Sequence, residues 1–297
     1  APGHLVPLSH FAGYRIAIDA MYWMYANNYG ARKSVVTSAA NMEDIIEAIR
    51  EGRSALEVVE CKAIGPWLTL AFNFIYKFLY YKVTPVVVFD GAPPAAKQGT
   101  LKGRAKLKTG VLDKIKAIED DIREKKYKIV PKSVRDDLKK QLMKPQVTKT
   151  VVNRLREFFA DLGVPVIVTP EAFESERICS AMCRAGKVAA VFSSDLDNLA
   201  HLCPLLIRRV EGTMLDSDRR KVPALLCIKT QEVLDALDMD SRQFIDFCIA
   251  CGCDYNERIR GFGTIKVYNI FKAQGGLEEW SESKDISALR PNTCWHM

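Results

Sequence analysis

The sequence predicts an α/β fold: three layers, a mainly parallel central sheet, a long basic helical segment inserted after the second strand, and a C-terminal helix–turn–helix. Three observations carry this. Short apolar runs of buried-strand type, at residues 14–18, 85–89 and 188–192, alternate with segments of helical spacing. Each run is followed closely by acids: Asp19, Asp90, and the pair Asp195 and Asp197. Between residues 97 and 149 stand 17 Lys/Arg against 7 Asp/Glu, a balance of +10 in a chain whose net charge is +7. Val- and Ile-rich strands joined by helices imply a parallel sheet. Functional groups of such sheets gather beyond the carboxyl ends of the strands.

Taken in order, residues 1–13 form a lead-in. The first strand, 14–18 (YRIAI), ends at Asp19, and a helix begins at 20–27 with Tyr22, Trp23 and Tyr25. Residues 28–65 give a weaker pattern: 42–50 has helical spacing, and its Ser/Thr/Ala-rich flanks read as loop. Pro66 suits the first position of a helix, where its missing N–H is no loss, so the next helix spans 67–81. The second strand, 85–89 (PVVVF), ends at Asp90. Gly91-Ala92-Pro93-Pro94 is a turn, since neither proline continues regular structure. Residues 101–128 make a long charged helix that Pro131 ends. Helices at 134–143 and 147–162 follow, the latter with Leu155, Phe158, Phe159 and Leu162 on one face. A strand at 164–168 leads to a helix opened by Glu174 and Glu176, and then to the strand at 188–192. Strands at 205–210 and 224–228 read as a hairpin. Helices at 230–237 and 241–251 precede residues 252–271, which read as helix–turn–helix.

Composition narrows the function. A hydrophobic fraction of 48% over 297 residues is that of a globular protein with a large core. No run of about 18 apolar residues stands out as a membrane span. No charged n-region with an h-region marks a secreted protein. The nine cysteines are odd in number and scattered, which fits reduced thiols inside a cell. Cys248, Cys251 and Cys253 lack a second ligand pair at zinc spacing and read as small hydrophobes.

The organising stretch is residues 171–201. Glu171, Glu174 and Glu176 stand at the start of one helix, and Asp195 and Asp197 just past one strand. Two acids at i and i+2 on an extended segment point the same way. Carboxylates that converge there repel one another unless cations neutralise them. Hard oxygen ligands without His or Cys select Mg²⁺ or Mn²⁺ over Zn²⁺. A capped helix and an Asp-rich turn would give the same local pattern. The basic segment fits a phosphate backbone near a metal site; a solvated helical hairpin has the same composition.

Four stretches, spread over residues 16–271, together resemble the flap endonuclease/XPG-type structure-specific 5′ nucleases. They are IAIDAMYWMY, VVVFDGAPPAAKQGTLKGR, ESERICSAMCRAGKVAAVFSSDLDNLA and CIACGCDYNERIRGFGTIK. The resemblance implies a PIN/5′-nuclease-like core over residues 1–240, with a helical arch at about 97–149, and a helix–two-turn–helix over 241–297. By position it implies metal ligands at Asp19, Asp90, Glu174, Glu176, Asp195, Asp197 and Asp254, with Glu171 as the alternative to Glu174. Two Mg²⁺ ions, or Mn²⁺ in their place, can activate a water and stabilise a leaving oxyanion. Lys97 and Arg104 would contact the scissile phosphate, with ordinary surface cations as the alternative. Tyr25 would stack on the base beside the cut; a core aromatic fits the same position. Gly261, Gly263 and Lys266 would bring the turn against duplex phosphate or a K⁺ ion. Arg258 stands where the family usually has Ser in that turn.

The activity so implied is Mg²⁺-dependent 5′ flap endonuclease with 5′→3′ exonuclease action in DNA replication, recombination or repair. The expected partner is branched or flapped DNA, bound by a monomer at sites of replication, in a nucleus or a viral compartment. No clamp-binding peptide is visible. A junction resolvase, an exonuclease or a nuclease acting on RNA would share this core. A non-catalytic DNA-binding protein of the same fold is the reading from another class, although a dead site would be free to lose such costly carboxylates.

Overall fold

One seven-stranded sheet organises the computed structural model, which describes residues 3–94, 97–125, 127–144, 147–254, 261–278 and 280. Its strands are β1 (His4–Pro7), β2 (Arg15–Asp19), β3 (Thr84–Phe89), β4 (Val166–Val168), β5 (Ala190–Phe192), β6 (Leu205–Leu215) and β7 (Lys221–Lys229). Their order is β1-β7-β6-β5-β2-β3-β4. β2 pairs in parallel with both β3 and β5, and β5 pairs in parallel with β6. β7 runs antiparallel to both β6 and β1. The central strands form because their side chains are apolar on both faces: Ile16, Ala17, Ile18, Val87, Val88, Phe89 and Val191 are all buried.

The chain divides into two compact units. The first takes its described residues from Ala1–Asp19, Tyr81–Leu101 and Ile167–Met297 and holds the sheet. It includes α7 (Ser175–Arg184), α8 (Asp197–Ala200), α9 (Thr230–Leu237), α10 (Ser241–Cys251) and α11 (Thr264–Gln274). Val86, Val88, Val191 and Leu206 of the sheet join Cys179, Leu234, Phe244 and Phe271 of the helices in one apolar cluster. Helix α10 starts at a capping box, in which Asp240 and Gln243 each satisfy the other's backbone N–H.

The second unit, Ala20–Tyr80 with Lys102–Val166, is helical. It contains α1 (Ala20–Thr37), α2 (Ala39–Arg50), α3 (Ala55–Tyr80), all but the first residues of α4 (Gln98–Glu124), α5 (Lys132–Leu142) and α6 (Lys149–Asp161). Trp23 meets Trp67 at 6.0 Å and Phe159 at 6.4 Å between ring centroids, which joins α1, α3 and α6. Glu119 of α4 is buried and accepts the Ala55 N–H at 2.7 Å, so it satisfies an orphan donor at the start of α3.

Several sequence expectations change. Residues 28–41 and 51–65 are mostly helix, not loop. Ser38 separates α1 from α2 and accepts the Asn41 N–H at 3.3 Å. Burial of Val35, Val36, Met42, Ile45, Ile46 and Ile49 outweighs the weak local propensity. Pro66 lies inside α3 rather than at its start. The buried positions Val59, Ala63, Trp67, Ala71 and Ile75 keep a four-residue spacing through the proline, so tertiary packing carries the helix across the lost hydrogen bond. The continuous α3 is long and apolar enough, by length and composition, to cross a membrane. The lead-in forms β1, which pairs at the sheet edge. The hairpin strands are longer than expected, and α4 begins and ends earlier.

Arg32 is 2% exposed, and its Nε donates to the Leu142 carbonyl at 2.8 Å, at the end of α5. Burial lowers its pKa and Glu60 opposes that shift. Arg32→Ala is expected to lower stability in urea unfolding by about 2–4 kcal/mol, because it orphans a carbonyl and a partly buried carboxylate. Arg32→Lys should recover only part of this.

Candidate active site

Three parallel strands end in acids at one edge of the sheet. Asp19 closes β2 and is 3% exposed. Its Oδ1 accepts from Ser175 Oγ at 3.2 Å and its Oδ2 from Ser193 Oγ at 3.0 Å. Asp90 follows β3, and its Oδ1 accepts the Ser175 N–H at 2.7 Å. Ser175 is the first residue of α7, so this bond also satisfies a helix N-terminal donor. Glu174 holds the N-cap position and Glu176 lies in the first turn.

The backbone holds these groups close. A Cβ on Gly91 would come within 2.2 Å of the Thr169 carbonyl oxygen, so no side chain fits beside Asp90. The Gly91 N–H donates to Thr169 Oγ1 at 2.8 Å, the Thr169 N–H to the Phe89 carbonyl at 2.9 Å, and Thr169 Oγ1 to the Phe173 carbonyl at 2.6 Å. The loop from β4 to α7 is thereby pinned to the end of β3.

Lys97, 8% exposed, reaches between two acids. Its Nζ pairs with Glu174 and lies 2.9 Å from Asp254 Oδ2. Burial works against the ammonium, but hydrogen bonds to Glu174 and Asp254 outweigh it and hold the pKa above the ordinary lysine value. Thr100 Oγ1 donates to the Asp254 carbonyl at 3.0 Å. Asp195 and Asp197 do not lie on an extended segment, as their i, i+2 spacing suggested. Asp195 Oδ1 accepts the Asp197 N–H at 3.0 Å in a local turn that starts α8.

The electrostatics define two overlapping groups. Burial, then Glu174, Asp19 and Asp90, push the Glu176 carboxyl up to about 8. Burial, then Asp195 and Asp254, with Glu174 adding and Lys97 opposing, push Asp197 up to about 6. Glu174 acts on both. Among the described residues no three or more His, Cys, Asp or Glu side chains close into a ready-made ion cage. The donor set nevertheless fits hard divalent cations: oxygen only, mutually repelling, and compensated by Lys97.

The remaining expected residues fall elsewhere. Glu171 is exposed on the turn before α7. Arg104 is exposed on α4 and Tyr25 is 53% exposed on α1, both in the helical unit. Tyr25 is therefore not a core aromatic. Gly261 has φ +83°, Gly263 caps α11, and Lys266 Nζ donates to the Gly261 carbonyl at 3.2 Å. Arg258 lies outside the described residues. Sequence reasoning missed Ser175, Ser193 and Thr169. For Ser175 and Ser193 the signal was a hydroxyl close to acids, as in Glu174-Ser175-Glu176 and Ser193-Ser194-Asp195; Thr169 carried no such signal.

Comparison with known proteins places the chain in a family. The family model of the XPG N-terminal domain matches residues 4–110, and that of the XPG I-region matches residues 163–254. Flap endonuclease 1 of Candida tropicalis is 30% identical over 287 residues, which cover 96% of this chain and 67% of that protein. The chain belongs to the XPG/flap endonuclease family. Flap endonuclease 1-2 of Paramecium tetraurelia is 31% identical, with 91% of this chain and 60% of that protein aligned. This chain thus spans about 60 to 67% of the length of these curated relatives. The catalytic core of Rad2 in complex with DNA substrate has the same fold, with a TM-score of 0.60, 20% identity, and coverage of 95% of this chain and 68% of that one. Flap endonuclease-1 from Methanococcus jannaschii gives a TM-score of 0.53 at 22% identity, over 97% of this chain and 79% of that one.

The family site carries a pH signature. Glu176 binds its proton more tightly folded than unfolded, so its contribution to stability is present at low pH. It is lost as pH rises from about 4.3, the unfolded value, through about 8. In EDTA the melting temperature should therefore fall over this window, with a loss of stability on the order of 5 kcal/mol. Glu176→Gln should flatten the profile, and an equal slope in both proteins would contradict this electrostatic reading.

Proposed function

We propose that this chain is a divalent-metal-dependent, structure-specific nuclease that cuts 5′ flaps in DNA and also acts as a 5′→3′ exonuclease. One observation carries the reading: two carboxylate groups that share Glu174, with Lys97 set between them at the carboxyl ends of parallel strands. Family membership supports it, as do the names of the relatives.

The residues divide the work. Asp19, Asp90, Glu174 and Glu176 would hold one cation and Asp195, Asp197 and Asp254 a second, with Glu174 facing both. Bound there, Mg²⁺, or Mn²⁺ in its place, supplies an acidified water and neutralises charge on the leaving oxygen. Glu176 and Asp197 surrender their protons to make room for that charge. Lys97 transfers its donors from Glu174 and Asp254 to a non-bridging phosphate oxygen, and Arg104 is assigned to the same phosphate. Exposed Tyr25 offers a face for the base next to the cut. The turn at Gly261 and Gly263, with Lys266, grips duplex phosphate without reading sequence. The basic residues between 97 and 149 would guide the single-stranded 5′ end. The place of action is wherever flapped DNA arises in replication or repair.

A 5′-labelled double-flap DNA tests this in parallel reactions with Mg²⁺, Ca²⁺ and EDTA. A discrete product from the flap base, with Mg²⁺ alone, is expected. Asp195→Asn combined with Asp197→Asn should slow cleavage by at least about 1,000-fold with binding retained, and Lys97→Ala by roughly 100-fold. Tight binding without cleavage in Mg²⁺ and in Mn²⁺ would instead establish a structure-specific binding protein.

A further inference from the structure

Helix α3 has two faces of different kinds. Its buried stripe packs inside the helical unit, and the opposite side carries an exposed aromatic row flanked by Lys62 and Lys77. On that side Phe72 is 47% exposed, Tyr76 52% and Tyr80 66%. The rings form a ladder: Phe72 stacks on Tyr76 with centroids 5.9 Å apart and planes at 18°, and Tyr76 meets Tyr80 at 6.0 Å. From three residues before Phe72 toward the N-terminus, the exposed residues of this face are small. Thr69, Gly65 and Cys61 are all exposed on this face, and a Cβ on Gly65 would meet no atom within 4 Å. The face therefore changes from small to large over roughly 28 Å, in steps of four residues with one step of three between Thr69 and Phe72.

We propose that this face of α3 is a homodimer interface, in which the helix pairs antiparallel with α3 of a second copy of the chain. The argument is self-complementarity. A two-fold axis between Thr69 and Phe72 sets Phe72 against the partner's Thr69, Tyr76 against the partner's Gly65, and Tyr80 against the partner's Cys61. Every bulky ring then faces a small residue, and the reverse contacts follow by symmetry. Three large and three small positions that mirror one another about a single point are what an isologous contact requires. An unrelated partner would need only one half of the pattern.

Size and charge agree with that occupant. With about half of each aromatic side chain exposed, the paired faces would bury roughly 1,000 Å² counted over both copies, the low end for a specific contact. The dimer is therefore of modest affinity. Nucleic acid is the wrong partner for this face, because none of the six residues offers a cation to phosphate. Exposed apolar surface of this extent is otherwise an aggregation liability. The sequence reading expected a monomer, and the proposal departs from that expectation.

The test is independent of nuclease activity. Sedimentation velocity of the full chain over about 1–200 μM should show a monomer–dimer equilibrium in the tens of micromolar. Tyr76→Glu should weaken it at least about 10-fold, with an unchanged circular dichroism spectrum. For the register, Tyr80→Cys protein is treated with copper phenanthroline and oxygen, which take two electrons and two protons from a pair of thiols to form a disulfide. Peptide mapping should find Cys61 of one copy joined to position 80 of the other. A chain that stays monomeric at 200 μM overturns the proposal, as does a dimer that Tyr76→Glu leaves intact. A Cys61–Cys61 link alone overturns the antiparallel arrangement. Cosedimentation with phosphatidylcholine vesicles that Tyr76→Glu abolishes, without any dimer, would assign the face to lipid.

Discussion

Repulsion among carboxylates at the ends of parallel strands is the constraint on which the sheet unit depends. Burying Glu176 beside Asp19, Asp90 and Glu174 is unfavourable, and its raised pKa measures how unfavourable. Three devices make the cluster tolerable. Lys97 brings a positive charge into its middle. Ser175 and Ser193 donate hydrogen bonds to Asp19, and the first N–H of α7 donates to Asp90. Gly91 and Thr169 hold β3 and the loop before α7 so close that the acids cannot drift apart. Lys97 and the hydrogen-bond donors stabilise negative charge without removing it, and the tight backbone holds the acids together against their repulsion. A fold that only needed stability would place apolar residues here. The retained charge is what gives the site affinity for cations.

The strands were the most legible part of the chain. Runs such as PVVVF and AAVF are β-branched and apolar on both faces, and an acid ends each pattern sharply. The edge strand β1 was invisible for the opposite reason: HLVP is short, contains a proline, and gains its structure from pairing with β7 rather than from its own pattern. Residues 28–65 were misread because Ser, Thr and Ala carry little periodicity. Their helices are set by which few apolar residues reach the interior, a property of the neighbours across α1, α2 and α3.

At the site, the acids were legible and their relations were not. The family resemblance singled out the seven carboxylates, and spacing described Asp195 and Asp197 as an extended pair, whereas the Asp195 side chain accepts the backbone N–H two residues on. That local choice is typical of Asp and competes with strand geometry wherever a turn is near. The choice between Glu171 and Glu174 turned on one turn of helix. Ala172 takes a left-handed φ of 69° and leaves Glu171 exposed, while Glu174 faces Lys97. Lys97 was expected to meet phosphate; its pairing with Glu174 and Asp254 is a contact across 77 and 157 positions of chain, which no local pattern encodes.

Helix α3 shows the same limit from the other side. Proline normally announces a helix start, and here it hid a 26-residue helix. Once the two halves are joined, two rows appear, a buried stripe with a four-residue repeat through Val59, Ala63, Trp67 and Ala71 and an exposed row through Cys61, Gly65, Thr69, Phe72 and Tyr76 with one step of three. The buried stripe explains why the helix tolerates Pro66. It does not explain why the six exposed positions from Cys61 to Tyr80 in that row are all uncharged in a chain that is 27% charged. A solvent-facing helix gains solubility and i,i+4 ion pairs from Lys and Glu at such positions. Their absence over five turns is a constraint on sequence that the fold of one copy does not impose, and a second apolar surface does.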